Sequence, residues 1–559
     1  MTGTRAGTGA TTMTVAGTGT AAGRRDHGAP QDRLAGTGAL VRLALRRERI
    51  PLLAWVLGIG LVAASTFSAI AALYPDEAER AALVQSIAVN PAFLAITGPI
   101  GGTSVGAIAA WRVTAVGTSL VALMAVFTVI RRTRADEESG RTELIASSVV
   151  GRAAPLAAAV LVAGGASLAI GVLAAAAGLA NGQDTTGSIA FGGAMAGCGV
   201  AFTGVAAIAA QVAESARAAT GLAAATVGVT YAVRAVGDTN TSLSWLTWLS
   251  PQGWAGHVQA YGANDLWVLG LYLALGAATL AVAVRLLDRR DLGLGLMPAR
   301  LGPATNPRLA TPEALAARLH RGTLAGWLTG MVAMGVVTGA VASTSADLLT
   351  GNPQLERVMA QIGGSGALTD TLLSVMGALT GLIVGGYAIA TALRMRTEET
   401  ADRVGPVLAT AVGRRRWMAG HLAFVVLGPA VLLLAAGVSA GLVNAAQVGS
   451  LADGFGGAVG AMLVQLPATL VMGGIAVALF GLLPRLTGLA WAALLVALLL
   501  GQLGELLQLP RWVMDISPYT HVPQVPVAAV SWPPLLVLTL VGGVLIAAGV
   551  LGFGRRDVD

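Results

Sequence analysis

Two clusters of acidic residues are the side chains whose types and spacing point most clearly to chemistry. Each cluster follows closely spaced Arg residues and precedes an apolar stretch that ends at a Gly-Arg pair. The first comprises Asp136, Glu137, Glu138, Gly140, Arg141 and Glu143, and the second comprises Glu398, Glu399 and Arg403. One such cluster is typical of a solvated loop, but two copies in register favour a charged surface that a partner protein recognises.

The rest of the composition excludes most catalytic chemistry. All 35 basic residues are Arg, so the chain lacks the Lys that a phosphate-binding loop or a Schiff base requires. The single Cys, Cys198, excludes disulfides and cysteine metal clusters. We therefore assign no catalytic residue, no metal site and no cofactor to this chain.

The elements that position these clusters are membrane-spanning helices. The 559 residues are 55% hydrophobic and only 11% charged, whereas about a quarter of the residues in soluble domains are charged. Runs of roughly 20 apolar residues, the length that crosses a bilayer core, predict an all-α polytopic membrane protein with twelve transmembrane helices. The predicted spans are 51–73, 106–130, 154–180, 188–212, 218–236, 265–287, 323–344, 371–393, 418–443, 455–483, 487–507 and 534–553.

The distribution of Arg predicts the orientation. Positively charged loops stay in the cytoplasm, and most Arg residues lie in the N-terminal segment, in alternate loops and in the C-terminal tail. With twelve spans, both termini are then cytoplasmic, and the positive charge needs no nucleic-acid partner. Residues 1–38 are rich in Thr, Gly and Ala and lack an apolar core of signal-peptide length, which predicts a disordered cytoplasmic arm.

An internal duplication organises the chain. Its anchors are Arg141 with Arg403 at an offset of 262 residues, Ser250-Pro251 with Ser517-Pro518 at 267, and Arg289-Arg290 with Arg555-Arg556 at 266. Similar offsets along most of a chain are typical of a repeated unit. They predict a first six-span unit at 39–290, a cytoplasmic linker at 291–311 and a second six-span unit at 312–559. Units with an even number of spans form parallel repeats about an axis along the membrane normal, with a pathway between them.

A short amphipathic helix is predicted before the first span of each unit. Thr311 and Pro312 have the residue types of a helix N-cap and first helical position. The segments 40–49 and 312–321 both place Leu and Arg at helical spacing. We interpret them as interfacial elbow helices, with Leu in the headgroup region and Arg facing outward.

These features resemble those of type-2 ABC exporter permeases: six-span units with elbow helices, the loop Glu-Glu-Ser-Gly-Arg-Thr-Glu at 137–143, and a Ser-Pro pair after the fifth span. The double-length form is similar to actinobacterial permeases linked to export of polyketide antibiotics such as tetronasin. In that family the loop after the second span is a cytoplasmic coupling helix seated in a groove of a separate ATPase subunit. The resemblance implies this ATPase-coupling role for the two acidic clusters. The second copy departs from the pattern at Asp402 and Gly405, so we expect two unequal contacts.

The segments after the fifth span of each unit, 237–264 and 508–532, are rich in Trp and look non-helical. Trp and Tyr collect at membrane interfaces, so an aromatic belt accounts for them. The resemblance instead implies short re-entrant helices that form an extracytoplasmic gate. The gate residues would be Ser250, Pro251, Trp254, Ser517, Pro518 and Tyr519.

Three ionisable residues near the membrane are candidate pathway charges: Arg112, Asp238 and Glu505. Arg112 lies close to the start of the second span, where its side chain can snorkel outward. Asp238 and Glu505 stand at matching span ends. There they can favour cationic substrates, cap helices, or pair with the neighbouring Arg234 and Arg511.

We therefore expect the permease subunit of an ATP-driven ABC exporter in a bacterial cell membrane, a transport subunit and not an enzyme. Its partners would be two copies of a separate ATPase that binds ATP and Mg²⁺, membrane lipids, and a hydrophobic or amphipathic antibiotic, drug or lipid-like substrate. The alternative is a proton-coupled secondary transporter of the major facilitator type. The duplicated acidic pairs and the lack of an acid deep in a span favour the ABC interpretation. A membrane scaffold without transport stays open.

Overall fold

The computed structural model describes residues 32–88, 91–146, 150–290, 294–297, 309–347, 364–448, 451–503 and 510–557. These residues contain helices and no β-strand, apart from an isolated bridge between Ala213 and Met297. The helices are α1 (Thr37–Leu73), α2 (Glu77–Ala88), α3 (Pro91–Thr97), α4 (Val105–Arg132), α5 (Arg134–Glu138), α6 (Arg141–Ala146), α7 (Ala154–Ala180), α8 (Thr185–Val212), α9 (Ala216–Thr239), α10 (Pro251–Val258), α11 (Leu269–Arg289), α12 (Pro312–Asp347), α13 (Gly364–Thr400), α14 (Val404–Leu408), α15 (Arg414–Val448), α16 (Leu451–Leu463), α17 (Leu466–Leu482), α18 (Leu489–Leu503), α19 (Arg511–Met514) and α20 (Trp532–Arg555). Short 3₁₀ helices cover Asp32–Leu34, Thr241–Leu249, Leu266–Val268, Pro484–Leu486 and Pro518–His521.

Eleven helices in the described residues are long and apolar enough to cross a membrane. They coincide with eleven of the predicted spans. The remaining one, 487–507, is covered by α18 with 15 residues, about 22 Å at 1.5 Å per residue, and residues 504–509 lie outside the described part. The all-helical, multi-pass architecture is therefore confirmed, and the count of twelve spans stays a prediction.

The two ends of the helices differ in composition. One end, which we call the Arg-rich end, is where α1, α7, α12 and α15 begin and where α4, α11, α13 and α20 end. The opposite end, which we call the Trp-rich end, carries the short helices after the predicted fifth spans, including Thr241–Leu249 and Pro518–His521. The predicted recognition clusters and the predicted gate therefore lie at opposite ends of the helices.

The predicted elbow segments are not separate helices in the structure. α1 runs without interruption through Pro51, and α12 runs from Pro312 as one helix. Pro removes one backbone hydrogen bond, but Ala44, Glu48 and Leu52 are buried on both sides of Pro51. Their tertiary contacts hold the helix together across the proline. The start of α12 is as predicted, because the Ala314 N–H donates to Thr311 Oγ1 at 3.2 Å.

Most of the predicted N-terminal arm, residues 1–31, lies outside the described part of the chain. The end of the arm is ordered, which differs from the prediction of disorder to residue 38. The Gly151 N–H donates to the Ala35 carbonyl oxygen at 3.0 Å, and Arg33 forms an ion pair with Asp288. These contacts fix the chain entering α1 to the start of α7 and the end of α11.

Residues 294–297 of the predicted linker lie against the turn between α8 and α9. The Leu296 N–H donates to the Gln211 carbonyl oxygen at 3.2 Å, and the Met297 N–H donates to the Val212 carbonyl oxygen at 3.0 Å. This piece of linker is therefore attached to the first half of the chain and does not run free between the halves.

Glycines allow the helices to approach closely. A Cβ on Gly171 of α7 would lie 2.4 Å from the Gly192 carbonyl oxygen of α8, and a Cβ on Gly192 would lie 2.3 Å from the Gly171 carbonyl oxygen. A Cβ on Gly481 of α17 would likewise lie 2.0 Å from the Gly549 carbonyl oxygen of α20. Small residues at such crossings are typical of membrane helix pairs, whose association depends on close van der Waals contact.

Candidate functional site

Glu137 lies at the centre of an ion-pair network at the Arg-rich end. Arg134 and Arg290 both donate to its carboxylate, with Arg290 at 2.6 and 3.0 Å. Arg134 also donates to the Ala213 carbonyl oxygen at 2.8 Å, and Arg290 donates to the Gln211 side chain at 2.7 Å. The network therefore joins α5, the α8–α9 turn and the end of α11 through groups that are almost fully buried.

Glu399 occupies the same position in the second half. Arg396 donates to its carboxylate at 2.8 Å, and Arg556 donates to the other carboxylate oxygen. These three residues stand 262, 262 and 266 residues after Glu137 and its two Arg partners. The Arg556 guanidinium also lies over the ring of Phe480, 5.3 Å from its centroid, a favourable cation–π geometry.

The acids that precede Glu137 and Glu399 are paired by a second set of Arg residues. Asp136 lies 3.7 Å from Arg132 and accepts a hydrogen bond from Arg141 at 3.1 Å. Arg132 also pairs with the buried Glu48 of α1. Because Arg132 contacts both acids, the acidic turn is tied to α1 at Glu48.

Glu398 repeats this arrangement in the second half. Arg394 donates to its carboxylate at 2.7 Å, and Arg403 lies 3.6 Å from its other oxygen. The Arg403 side chain is 62% exposed, whereas the Glu398 side chain is 7% exposed. The acid is therefore covered by the protein and the Arg faces outward.

Glu138 has a different role from Glu137. Its side chain is exposed, and Oε1 accepts a hydrogen bond from the Ala216 N–H at the start of α9, at 2.8 Å. Carboxylates stabilise a helix N-terminus because the first N–H groups have no partner within the helix. Arg141 and Glu143 are also exposed, so these three side chains form the outward surface of the first cluster.

The turn after each acidic pair has left-handed backbone geometry. Gly140 has φ of 71°, and Asp402 at the matching position has φ of 51°. Gly adopts this conformation freely, and Asp is one of the few other residues that tolerate it. The departure of the second copy from the Gly-Arg pattern therefore leaves the turn unchanged, while Gly405 removes the carboxylate that Glu143 provides.

Some of these contacts were not predicted from the sequence. Arg134, Gln211 and the linker residues that hold the α8–α9 turn were not singled out, because their partners are distant along the chain. Arg290 is an anchor of the duplication in the sequence. The offset from Arg290 to Arg556 is similar to the offset from Glu137 to Glu399, and this similarity is the signal that could have paired Arg290 with Glu137.

The predicted gate residues of the first half form a capped helix. The Ser250 hydroxyl accepts from the Gly253 N–H at 3.2 Å, Pro251 is the first residue of α10, and Trp254 donates to the Trp248 carbonyl oxygen at 2.7 Å. The interpretation of segment 237–264 as non-helical is therefore wrong for Thr241–Leu249 and α10. A Ser N-cap followed by Pro explains why the second of these helices starts where it does.

The gate residues of the second half are arranged differently. Ser517 is buried and precedes a 3₁₀ turn that begins at Pro518. The Tyr519 hydroxyl donates to the Gly381 carbonyl oxygen of α13 at 3.0 Å, and burial raises the pKa of this hydroxyl above its ordinary value. The turn is therefore attached to the second span of its own half.

The three candidate pathway charges have different surroundings. Arg112 is exposed on α4. Asp238 lies 3.5 Å from Arg234, and Arg234 also donates to the Ile96 carbonyl oxygen at 2.7 Å, so the structure favours the interpretation that Asp238 pairs with Arg234. Glu505 lies outside the described residues.

Eleven helices in the described residues are long and apolar enough to cross a membrane, and their Arg-rich end carries ion-pair networks, which defines a multi-pass membrane protein. The chain belongs to the family described as multidrug efflux system permease Rv1217c, C-terminal domain, which matches residues 38–287 and 309–554. It is similar to the multidrug efflux system permease protein Rv1217c of Mycobacterium tuberculosis, with 40% identity over 525 residues that cover 94% of this chain and 95% of the relative. The prediction of a transmembrane permease from an efflux family is thereby confirmed.

Proposed function

We propose that the chain is the membrane subunit of an ATP-driven ABC exporter that moves hydrophobic or amphipathic molecules out of the cell. The relative's name supports efflux of multiple drugs. The lack of Lys supports a separate source of energy, because a phosphate-binding loop requires one. Two copies of an ATPase subunit, with ATP and Mg²⁺, would bind at the Arg-rich end, which is then cytoplasmic.

The observation that carries the proposal is the matched pair of ion-pair networks around Glu137 and Glu399. Each network fixes the acidic turn to helices that are distant in sequence. A turn held in this way moves together with those helices, so a force applied at its outer surface is passed to the membrane spans. A freely solvated loop would not be built from buried charges, because an unpaired buried charge is costly.

The duplicated networks also support two six-span units in one chain. The stretches matched by the family, 38–287 and 309–554, agree with the predicted units at 39–290 and 312–559. The substrate pathway would lie between the units, and closure of the ATPases would rock one unit against the other. The helices at the Trp-rich end would form the outer gate.

The two ATPase contacts are unequal in this proposal. The first cluster presents Glu138, Arg141 and Glu143 to the outside, whereas the second presents Arg403 beside a covered Glu398. One contact therefore has an acidic surface with a single Arg, and the other is basic. Two identical ATPase copies would bind these surfaces with different strengths.

The energy source is the direct test. Efflux of a fluorescent drug is measured in cells that express the permease together with a candidate ATPase subunit, and in matched cells whose ATPase has lost its catalytic carboxylate. We expect the inactive ATPase to abolish efflux and a protonophore to leave it intact while ATP is maintained. Efflux that survives ATPase inactivation and stops when the proton gradient collapses would instead support the secondary transporter.

A further inference from the structure

A large apolar cavity lies in the second half at the Trp-rich end, between α17, α18 and α20. Its volume is about 720 Å³, within the range of roughly 300–1,000 Å³ that is usual for small-molecule sites. Val471, Ala493 and Val537 each line it from a different helix. Such walls favour the apolar body of a ligand because burial removes its surface from water.

The polar groups of the cavity come from the turn that precedes α20. Asp515 is exposed at the rim and forms no ion pair with any residue that the structure describes. Ser517 is 2% exposed, and its Oγ has no hydrogen-bond partner in the described part of the chain. His521 Nε2 lies 3.0 Å from the Asp515 carbonyl oxygen, which fixes the imidazole at the rim. The cavity thus combines apolar walls with one uncompensated negative charge and one unused hydroxyl.

The corresponding region of the first half is filled by aromatic rings. The residues 267 positions before the rim acid and the rim histidine are Trp248 and Trp254. Trp248 stacks on His257 with centroids 3.8 Å apart, and Trp254 packs edge-on against Tyr272 at 5.1 Å. The Ser250 hydroxyl is used as a helix cap. The cavity therefore arises where two Trp residues of one half are replaced by a carboxylate and an imidazole in the other.

We propose that this cavity binds lipophilic cations, molecules with a flat apolar body and one positive charge. The body occupies the space between the three helices, the Asp515 carboxylate attracts the charge at the rim, and the Ser517 hydroxyl bonds a polar substituent. The inference rests on the proposed function, since an efflux permease requires a binding site for its cargo. It adds the chemical class of that cargo and places its binding in one half of the chain.

Binding is tested on the full chain in lipid nanodiscs, with no ATPase present. Rhodamine 6G is the cationic probe, Nile red is a neutral probe of similar ring size, and empty nanodiscs correct for partition into lipid. Asp515→Asn should weaken the binding of rhodamine 6G by about fivefold, which is the effect of losing a partly solvated charge pair. The same variant should leave the binding of Nile red unchanged. Asp265→Asn, the same charge change at the same end of the first half, should alter neither affinity.

Variants that fill the cavity provide a second test in the same binding assay. Ala493→Trp should abolish binding of both dyes, and Val537→Trp repeats the test at a half-exposed wall position where a larger side chain preserves the fold. Undiminished binding in the folded Val537→Trp protein would overturn the site. If Asp515→Asn weakened the binding of both dyes equally, the proposal that Asp515 recognises the positive charge would be overturned. Because the assay contains no ATPase, its failure is distinct from a failure of ATP-dependent efflux in cells.

Discussion

Replacing Glu137 by Ala should destabilise the folded chain strongly, whereas the same change at Glu138 should not. Glu137 pairs with Arg134 and Arg290, whose side chains are only 1% and 3% exposed. Removing one partner of a buried ion pair costs about 3–5 kcal/mol, because the remaining charge stays buried without a counterion. Glu138 is exposed and would lose only its hydrogen bond to the Ala216 N–H, which costs about 1 kcal/mol for a helix cap.

Thermal unfolding in detergent, followed by Trp fluorescence, measures the difference. A unit of 150–250 residues loses about 2–4 °C per kcal/mol. We therefore expect Tm to fall by about 10 °C for Glu137→Ala and by about 3 °C for Glu138→Ala. Glu399→Ala should repeat the larger shift in the second half, because Arg396 and Arg556 hold it in the same way. Under the proposed function, the folded Glu138→Ala protein should also stimulate the ATPase subunit less than the unmodified chain does.

A double-mutant cycle tests the cause of the effect. Arg290→Leu combined with Glu137→Ala removes a buried charge together with its partner, so the double variant should be more stable than the sum of the single effects predicts. Strictly additive losses, or equal Tm shifts for Glu137→Ala and Glu138→Ala, would refute the assignment of Glu137 as the buried centre of the network.

Two further predictions concern packing and pH. Gly171→Leu should lower the free energy of unfolding by about 1–3 kcal/mol, because its Cβ would meet the Gly192 carbonyl oxygen at 2.4 Å. The control Gly164→Leu, with no atom within 4 Å of its Cβ, should have little effect on Tm. Equal Tm shifts for the two variants would contradict the close contact between the helices. Burial lowers the pKa of His257 below its ordinary 6.5, so the unfolded state binds the proton more readily and stability should fall as pH drops from about 7 towards 5. His257→Gln, measured by Tm across that range, should reduce this dependence, and an unchanged pH profile would count against it.

The membrane architecture followed closely from the sequence, because a span is defined by a local property. Eleven predicted spans coincide with helices in the described residues, and the N-cap at Thr311 was placed correctly. The predicted elbow helices differ from the structure, in which each segment is part of a longer continuous helix. The amphipathic pattern of 40–49 predicts a separate helix before the first span, but residues buried on both sides of Pro51 keep α1 continuous. Such long-range packing leaves no trace in a local pattern.

Apolar run length determined that this is a multi-pass membrane protein, while the distribution of Arg and the similar offsets between repeated residues predict its orientation and its duplication. The sequence alone could not rank Asp136, Glu137 and Glu138, which are equally acidic neighbours. Successive residues of a helical turn point about 100° apart, so each meets a different part of the fold. Glu137 meets Arg290, 153 residues away, and Glu138 meets Ala216, 78 residues away. Only the tertiary structure brings those partners together, and it therefore decides which acid is part of the fold and which faces outward.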